Sequence, residues 1–565
     1  MERTIHMDAE NGKGAEKTSY LVWCWLLLLG FAGTCLRVRG VGSYHFNTDE
    51  MLYLHMAQGK TLGETWQYTM NEMHPPLSTL LMHLWYKISH VPAFLRSLAL
   101  VFGLLLIPIY YRIGTLISGS TGGLCCAALI TFSYGILTQT YLLRNYAGFL
   151  VAVSLAFYWA LRWHRDQRTE YLVLYAGWGA VACLMDFSGM ITIFTIGAGE
   201  IFSSMRRARP FRLMVRWMIT NGAIACVAIA IFAAWYPTMS FYQSGTLSGG
   251  GLHYKSALLP NALLSPLFVL CYLLPAQSQP MIEFSLLVCA IGLIIYAGSC
   301  RGILSYLLFL TGIGVLLEII LYVMGAYSVI GYAPRWPQRQ NLWLAPFIIP
   351  LLGEAMSLVL SHKSFRAYSG LWLALLLIVG GVGLYDPKAR FADKEYMVLQ
   401  KNYEQASADL SKLDMRTLII TDRSAGFLLM PENDKLYQGM WKGGWADGKE
   451  SRILLYAHTR LLLDAKHLAW HTRNELIHMY LDIESRGILD GTQTLMFVNT
   501  AWKQEAVTML ADCKTLTKTV VRFAQQENDK WSLVFVFVPR AAFERDVVAS
   551  DGKARACFDV SPIPL

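Results

Sequence analysis

The chain has 565 residues, of which 55% are hydrophobic and only 15% are charged, and its formal net charge is +9. Soluble domains carry roughly 25% charged residues, so this composition excludes an ordinary soluble enzyme or binding domain. The arginines lie mostly in short loops between apolar runs, as in the cytoplasmic loops of membrane proteins, so the positive charge does not indicate nucleic-acid binding.

Apolar runs of about 20 residues, long enough to cross a bilayer, recur through the first two thirds of the chain and predict a polytopic α-helical membrane protein. We predict about eleven transmembrane helices, with about thirteen as the upper limit. Their predicted bounds are 20–37, 96–115, 121–141, 147–163, 170–186, 188–204, 216–236, 281–298, 302–323, 342–361 and 367–385. Two shorter, proline-bounded apolar segments, 75–90 and 260–275, are predicted to lie at the membrane interface.

The first apolar run is interpreted as a retained anchor, because no small-x-small cleavage site follows it, whereas Arg37 and Arg39 do. The arginine-rich loops at 162–168 and 206–216 are assigned to the cytoplasm together with the N-terminus. An odd number of spans then places the C-terminal segment on the extracytoplasmic side. The chain ends without a retention signal for the endoplasmic reticulum, which favours a bacterial plasma membrane.

The composition changes after residue 385, and this change predicts two domains. Residues 1–385 form a transmembrane domain that includes a first extracytoplasmic loop at 37–95, and residues 386–565 form a soluble extracytoplasmic α/β domain. Within this second domain we predict buried strands at 417–421, 494–500 and 531–538 and a helix at 451–468. Cys513 and Cys557 both lie there, and their pairing stays open because sequence does not show proximity.

Two adjacent carboxylates, Asp49 and Glu50, follow the first span directly. Such a pair can supply a general base, a partner for a cation or a ligand for a divalent metal ion. It would equally suit the start of a helix, because carboxylates near a helix N-terminus are favourable. On the residues alone both interpretations stay open.

His74 precedes two prolines, Pro75 and Pro76. Proline fixes φ and suits the first turn of a helix, so the spacing predicts that His74 is held at a helix start. There it can donate to an anion such as a phosphate, because a helix N-terminus attracts negative charge. An incidental histidine before a helix-starting proline pair is the alternative.

Three arginines are predicted to face the extracytoplasmic side, where the positive-inside rule disfavours them. Arg144 lies beside Tyr146 at the start of one span, and Arg335 and Arg339 precede another. A lipid headgroup would account for them, but the guanidinium fork also matches a phosphate or pyrophosphate ligand.

Asp186 interrupts a nearly continuous apolar stretch. It is predicted either to sit at a tight turn between two helices or to orient a polar substrate. The sequence contains no Walker A loop, nucleophile elbow, HExxH motif or dinucleotide fingerprint after a strand, so no nucleotide cofactor is expected.

In order and spacing these segments resemble the GT-C membrane glycosyltransferases. The resemblance rests on Asp49-Glu50, on "HPPL" at 74–77, on Arg96 opening a span, on "LLRNYAGFLVAVSLAFYWALR" at 142–162 and on "RQNLWLAPFIIP" at 339–350. It is narrowest to the branch that contains protein O-mannosyltransferases and lipid A aminoarabinose transferases. His74 stands where the aminoarabinose branch has a lysine, a departure that favours the mannosyltransferase-like pattern.

The resemblance implies transfer of a sugar from a polyprenyl-phosphate donor to a hydroxyl of a lipid, glycan or protein acceptor, usually with inversion. Asp49 would be the catalytic base. The donor phosphate would be bound by four basic side chains: His74, Arg144, Arg335 and Arg339. Glu50, Tyr146 and Asp186 would orient the substrate, and Glu50 is the candidate ligand if a divalent metal ion is used.

Two other classes stay open. A transporter or flippase of lipid-linked sugars would use the same arginines to bind phosphate without chemistry, and it would carry polar residues at the membrane midplane. Asp186 and Glu318 are the side chains to examine for such a pathway. A non-catalytic assembly subunit would use the membrane part as an anchor for its C-terminal domain.

Overall fold

The computed structural model describes residues 20–41, 48–70, 74–206, 211–247, 269–270, 273–274, 287, 290–292, 303–323, 342–361, 417–421, 453–455, 494–501, 532–539, 541 and 544. The chain divides into two compact units. The first unit comprises Met1–Val41, Ser97–Ala230 and Leu258–Ala389. The second unit comprises Gly42–Arg96, Ile231–Ala257 and Arg390–Leu565.

The described part of the chain is mostly helical. Its helices are α1 (Tyr20–Val41), α2 (Thr48–Ala57), α3 (Leu62–Thr69), α4 (Leu77–Tyr86), α5 (Pro92–Phe132), α6 (Tyr134–Gln139), α7 (Tyr146–Asp166), α8 (Thr169–Met185), α9 (Ser188–Arg206), α10 (Phe211–Leu247), α11 (Ile303–Val323) and α12 (Ala345–Ser361). Most predicted spans over these residues agree with the helices to within a few positions, but the span predicted at 121–141 ends earlier, at Phe132, and the span predicted at 216–236 is a longer helix, Phe211–Leu247. The predicted span at 367–385 and most of that at 281–298 lie outside the described residues.

Within these ranges, five helices are long and apolar enough to cross a membrane: Tyr20–Val38, Pro92–Phe132, Tyr146–Asp166, Phe211–Tyr236 and Leu342–Leu360. Large apolar side chains on three of them are exposed, among them Leu27 (71%), Phe31 (69%), Val101 (45%) and Ile219 (67%). Water would not tolerate that much contiguous apolar surface, whereas lipid does. The protein is therefore an integral membrane protein.

Helix α5 is two helical arms joined by a tight turn. Ser118 and Gly119 depart from helical geometry, and Gly119 has φ +74°. The arms pack closely, because a Cβ atom on Gly114 would lie 2.5 Å from the carbonyl oxygen of Gly122. The arms correspond to the predicted spans 96–115 and 121–141. The end of the second prediction is wrong: the helix stops at Phe132, and α6 then begins after Ser133, whose Oγ accepts the N–H of Ile136 at 3.4 Å.

Helix α7 lies at the centre of the first unit. Most of its side chains are buried, and it packs against α8, α9 and α12. Phe157 meets Phe347 of α12 edge-on at 5.4 Å, and Trp163 stacks with Trp217 of α10 at 6.4 Å. This packing fixes the helix whose N-terminal end carries Arg144 and Tyr146.

Helices α2, α3 and α4 pack together in the second unit. The buried His83 of α4 donates through Nδ1 to the carbonyl oxygen of Ala57 at 2.8 Å and lies 3.0 Å from Thr65 Oγ1, which joins all three helices. Trp235 of α10 donates to the carbonyl oxygen of Thr69 at 2.9 Å. The predicted interfacial helix at 75–90 corresponds to α4, whereas its partner prediction at 260–275 lies largely outside the described residues.

Four described strands form one mixed sheet in the order β2-β1-β3-β4. They are β1 (Thr417–Thr421), β2 (Ile453–Leu455), β3 (Thr494–Ala501) and β4 (Ser532–Pro539). Strand β1 is parallel to β2 and β3, and β3 is antiparallel to β4. The three predicted strands are confirmed. The helix predicted at 451–468 is wrong over β2, because a short apolar run there pairs in register with β1. The α/β class of the C-terminal domain stays a prediction.

Candidate functional site

The two predicted carboxylates, Asp49 and Glu50, lie in the first turn of α2, which begins at Thr48. The partial positive charge of a helix N-terminus favours carboxylates at this position. Asp49 is the second residue of the helix, so its backbone position is set by the start of α2. Its place in the fold is therefore inside the first turn of the helix that follows α1 in the chain, and not in a solvated loop before it.

Glu50 forms a buried ion pair with Arg96 of α5. The Nε and Nη2 atoms of Arg96 donate to Oε1 and Oε2 of Glu50, each at 2.9 Å. Both side chains are almost completely buried, at 3% exposure for Arg96 and 1% for Glu50. The two-pronged geometry uses both carboxylate oxygens, so Glu50 faces a fixed cation and not open solvent.

His74 lies at the start of α4, as predicted. Pro76 is the N-cap of that helix and Leu77 its first residue. The imidazole of His74 is half-buried, and its centroid lies 5.9 Å from the ring of the buried Tyr53 of α2. His74 and the helix that carries Asp49 and Glu50 are thus neighbours within the second unit.

Arg144 lies two residues before α7, in the first unit. Its guanidinium carbon lies 5.7 Å from the ring centroid of Tyr146, the first residue of the helix. A guanidinium at this distance from an aromatic face gains electrostatic attraction to the ring. The predicted pair of Arg144 and Tyr146 is therefore a contacting pair, with Arg144 half-buried and Tyr146 buried.

Asn145 and Asp186 join the start of α7 to the turn between α8 and α9. Asn145 donates through Nδ2 to Asp186 Oδ2 and to the carbonyl oxygen of Met185 at 3.3 Å. Asp186 Oδ1 accepts the backbone N–H of Ser188 at 2.8 Å. Asp186 thus lies at the tight turn between two helices, which is one of its two predicted roles. It also fixes Asn145, the residue next to Arg144.

The remaining predicted site residues, Arg335 and Arg339, lie outside the described residues. Across the part of the chain that the structure describes, no three His, Cys, Asp or Glu side chains are grouped as metal ligands would be. A metal role for Glu50 stays a prediction, and it would compete with the ion pair to Arg96.

Sequence reasoning missed three buried polar contacts. It did not pair Glu50 with Arg96, it did not pair Arg37 of α1 with Thr140, and it did not find the contact between His164 of α7 and Glu200 of α9. In each case a charged residue inside or next to an apolar run was the available signal. That signal marks the residue but not its partner.

No protein-family model matches the chain, and no curated protein matches it at a significant level. Solved structures do match. ArnT from Cupriavidus metallidurans in the apo state aligns with a TM-score of 0.52 and 12% identity, covering 91% of this chain and 98% of that one. The same protein bound to undecaprenyl phosphate aligns with a TM-score of 0.51 and 12% identity, again covering 91% of this chain and 98% of that one.

A third solved structure is the archaeal oligosaccharyltransferase AglB from Archaeoglobus fulgidus, in complex with an inhibitory peptide and a dolichol-phosphate. It aligns with a TM-score of 0.49 and 11% identity, covering 93% of this chain and 77% of that one. The similarity to ArnT extends over almost the full length of both chains. The protein therefore has the fold of ArnT, and the predicted resemblance is confirmed at the level of the fold.

Proposed function

We propose that the protein is a membrane glycosyltransferase that moves a sugar from a polyprenyl-phosphate donor to a hydroxyl group of an acceptor. The observation that carries this proposal is the full-length likeness to ArnT, one of whose structures holds undecaprenyl phosphate. The position of Asp49 at the start of the first helix after α1 supports it. The acceptor class, whether lipid, glycan or protein, stays open.

In the proposed reaction Asp49 is the general base. Its carboxylate takes the proton from the acceptor hydroxyl as that oxygen attacks C1 of the sugar. The bond between C1 and the phosphate oxygen breaks, and the polyprenyl phosphate leaves with the electron pair. Attack opposite the leaving group inverts the anomeric centre.

The leaving group gains negative charge as the C1–O bond breaks, so cations that meet the phosphate lower the barrier. We assign this role to Arg144, whose guanidinium is oriented by the ring of Tyr146 and whose neighbour Asn145 is fixed by Asp186. His74, held at the start of α4, is the proposed second donor. Arg335 and Arg339 are proposed to add to them.

Glu50 is proposed to support the base and not to contact the reacting atoms. It follows Asp49 in the same helical turn, and its ion pair with Arg96 anchors that turn against the start of α5. A general base must be held within hydrogen-bond reach of the proton that it removes, so the anchoring of its helix matters for the rate.

The direct test is release of free polyprenyl phosphate. Purified protein is incubated with radiolabelled polyprenyl-phosphate sugars and crude membrane acceptors, with Asp49→Asn as the matched control. We expect release by the wild type and a loss of turnover by orders of magnitude in Asp49→Asn, which removes the base but keeps the size of the side chain. Turnover at the wild-type rate in Asp49→Asn would overturn the mechanism.

Transport of a lipid-linked sugar is the second candidate. The contact between His164, near the end of α7, and Glu200 of α9 is the observation behind it, since a buried pair of ionisable side chains in an apolar helical unit can mark a pathway. Transport predicts that Asp49→Asn still moves the labelled lipid across a vesicle membrane and that no donor is consumed. Donor consumption by the wild type would decide for the transferase.

A further inference from the structure

A completely buried cation occupies the last part of α1. Arg37 has 0% exposure, and its Nε donates to Oγ1 of Thr140 at 2.9 Å. Its Nη1 donates to the carbonyl oxygen of Gly33, one turn earlier in α1, at 3.1 Å. The second contact is local to the helix, so the contact with Thr140 is the one that reaches another element.

Two glycines leave the space that this guanidinium fills. A Cβ atom on Gly103 of α5 would lie 2.9 Å from Nε of Arg37 and 2.6 Å from Cβ of Thr140. A Cβ atom on Gly33 would lie 3.1 Å from Nη1. Any larger residue would have to displace the guanidinium, so α1, α5 and Thr140 are fitted around it.

The burial of Arg37 is costly. No acidic group forms an ion pair with it among the described residues, and its Nη2 atom has no hydrogen-bond partner there. An uncompensated buried charge destabilises a fold, and a methionine or leucine would fill the same space without that cost. A contribution to fold stability therefore does not account for the arginine, and its contact with Thr140 is the feature to explain.

Thr140 begins the non-helical segment 140–145 between α6 and α7, which ends with Arg144 and Asn145. Thr140 is completely buried, and both its N–H and its Oγ1 donate to the carbonyl oxygen of Leu137 at 3.1 Å. At the other end, Asn145 is held by Asp186. The segment is thus held at both ends by buried polar contacts, and Arg144 lies between them.

We propose that Arg37 is a positioning residue for the donor phosphate: through Thr140 it fixes the segment that presents Arg144. This inference rests on the proposed function, in which Arg144 meets the phosphate. Arg37 does not touch the substrate in this account. Its removal should weaken donor binding only as far as the removal of Arg144 does.

The test is a double-mutant cycle on the full-length protein, with undecaprenyl phosphate as the probe and its Kd as the readout. The single variants are Arg37→Met and Arg144→Ala, and the cycle is closed by the double variant. Arg112→Met, which removes an exposed arginine from α5, is the matched control. We expect about a tenfold rise in Kd for each single variant, no further rise in the double variant, and no change in the control.

Thr140→Val keeps the volume of the side chain and removes the acceptor, so it should reproduce Arg37→Met if that variant fails to fold. Arg37→Lys should restore part of the affinity, because the ammonium group also donates to Thr140. Acceptor KM should stay unchanged in all of them, which a general loss of structure would not produce.

Additive effects in the double variant would overturn the proposal, because they would mean that Arg37 acts independently of Arg144. An unchanged Kd in both Arg37→Met and Thr140→Val would overturn it too. A failure of the proposed function has a different signature: Arg144→Ala alone would then leave Kd unchanged, which removes the assigned role of Arg144 and this inference with it.

Discussion

Glu50 and Arg96 meet through two hydrogen bonds of 2.9 Å each, although 46 positions separate them in the chain. The pair connects the first turn of α2 to the beginning of α5. Because both side chains are almost fully buried, each compensates the charge of the other where water does not solvate it. The conformation of the chain around the proposed base Asp49 therefore depends on a cation at the start of a membrane helix.

Loss of one partner of this pair should be strongly destabilising. Glu50→Gln removes the negative charge that faces the buried guanidinium of Arg96, and we expect the free energy of unfolding to fall by about 3–5 kcal/mol. Glu170→Gln is the matched control, because Glu170 pairs with Arg168 at 3.4 Å on an exposed surface and should contribute no more than about 1 kcal/mol. Unfolding by denaturant in detergent measures both, and equal effects would contradict the assignment.

The turn after α8 should depend on the acceptors of Asp186. Asp186→Ala removes the acceptor of the Ser188 N–H and one of the two acceptors of the Asn145 amide, and the loss of a buried acceptor costs about 1–3 kcal/mol. Asp186→Asn keeps one acceptor and should lose less. The thermal midpoint of both variants tests this order. If Asp186→Asn changes acceptor KM at an unaltered midpoint, Asp186 orients substrate instead.

Gly119 should be replaceable by almost no other residue. Its φ of +74° and ψ of −168° lie in a region that is essentially restricted to glycine, so Gly119→Ala should destabilise the protein by about 1–3 kcal/mol. Gly177 of α8 is the control, because a Cβ atom meets nothing within 4 Å at either position and only the backbone differs. Gly177→Ala should stabilise by about 0.5–1 kcal/mol. A similar loss of stability in Gly119→Ala and Gly177→Ala would show that the turn conformation of Gly119 is not the cause.

Glu64 makes the stability of α3 dependent on pH. The backbone N–H of Lys60 donates to Oε2 at 2.6 Å and the hydroxyl of Tyr68 donates to Oε1 at 3.0 Å, and these bonds lower the pKa of Glu64 below its ordinary value. A lowered folded-state pKa means that the carboxylate stabilises the helix above the unfolded pKa. This contribution is lost as the pH falls through the folded-state pKa.

Hydrogen exchange at the amides of residues 60–69, corrected for intrinsic rates, should therefore speed up between about pH 5 and about pH 3 in the wild type. Glu64→Gln should show faster exchange at neutral pH and no step in that interval. A step of the same size in the variant would assign the pH dependence to another group.

The helices of the first unit follow from the sequence because an apolar run of spanning length allows only one backbone solution in lipid. The short helices α2 and α3 do not follow from the sequence, because their polar and apolar residues are mixed. They are stabilised by contacts with other elements, which involve Thr65, His83 and Trp235. The apolar run at Ile453–Leu455 suits a helix and a strand equally, and pairing with β1 decides between them.

In the candidate site, too, some residues could be predicted from the sequence and their distant contacts could not. Arg144, Tyr146 and Asp186 could be selected from the sequence, because a charge at the end of a span is conspicuous. The contacts of Arg37 with Thr140 and of Glu50 with Arg96 could not, because nothing local in the chain encodes which distant side chain a buried charge meets.

The burial of α7 has a consequence for how the protein is made. Among the five candidate spans, Tyr146–Asp166 is the least apolar, and it is also among the most enclosed by protein. A nascent helix enters the bilayer according to its own apolarity, so α7 has a weaker tendency to insert alone than α1 or α5. Its integration therefore depends also on packing against α8 and α9, which follow it in the chain. The helix that begins beside Arg144 is thus held in the membrane by assembly with other helices as well as by its own partitioning into lipid.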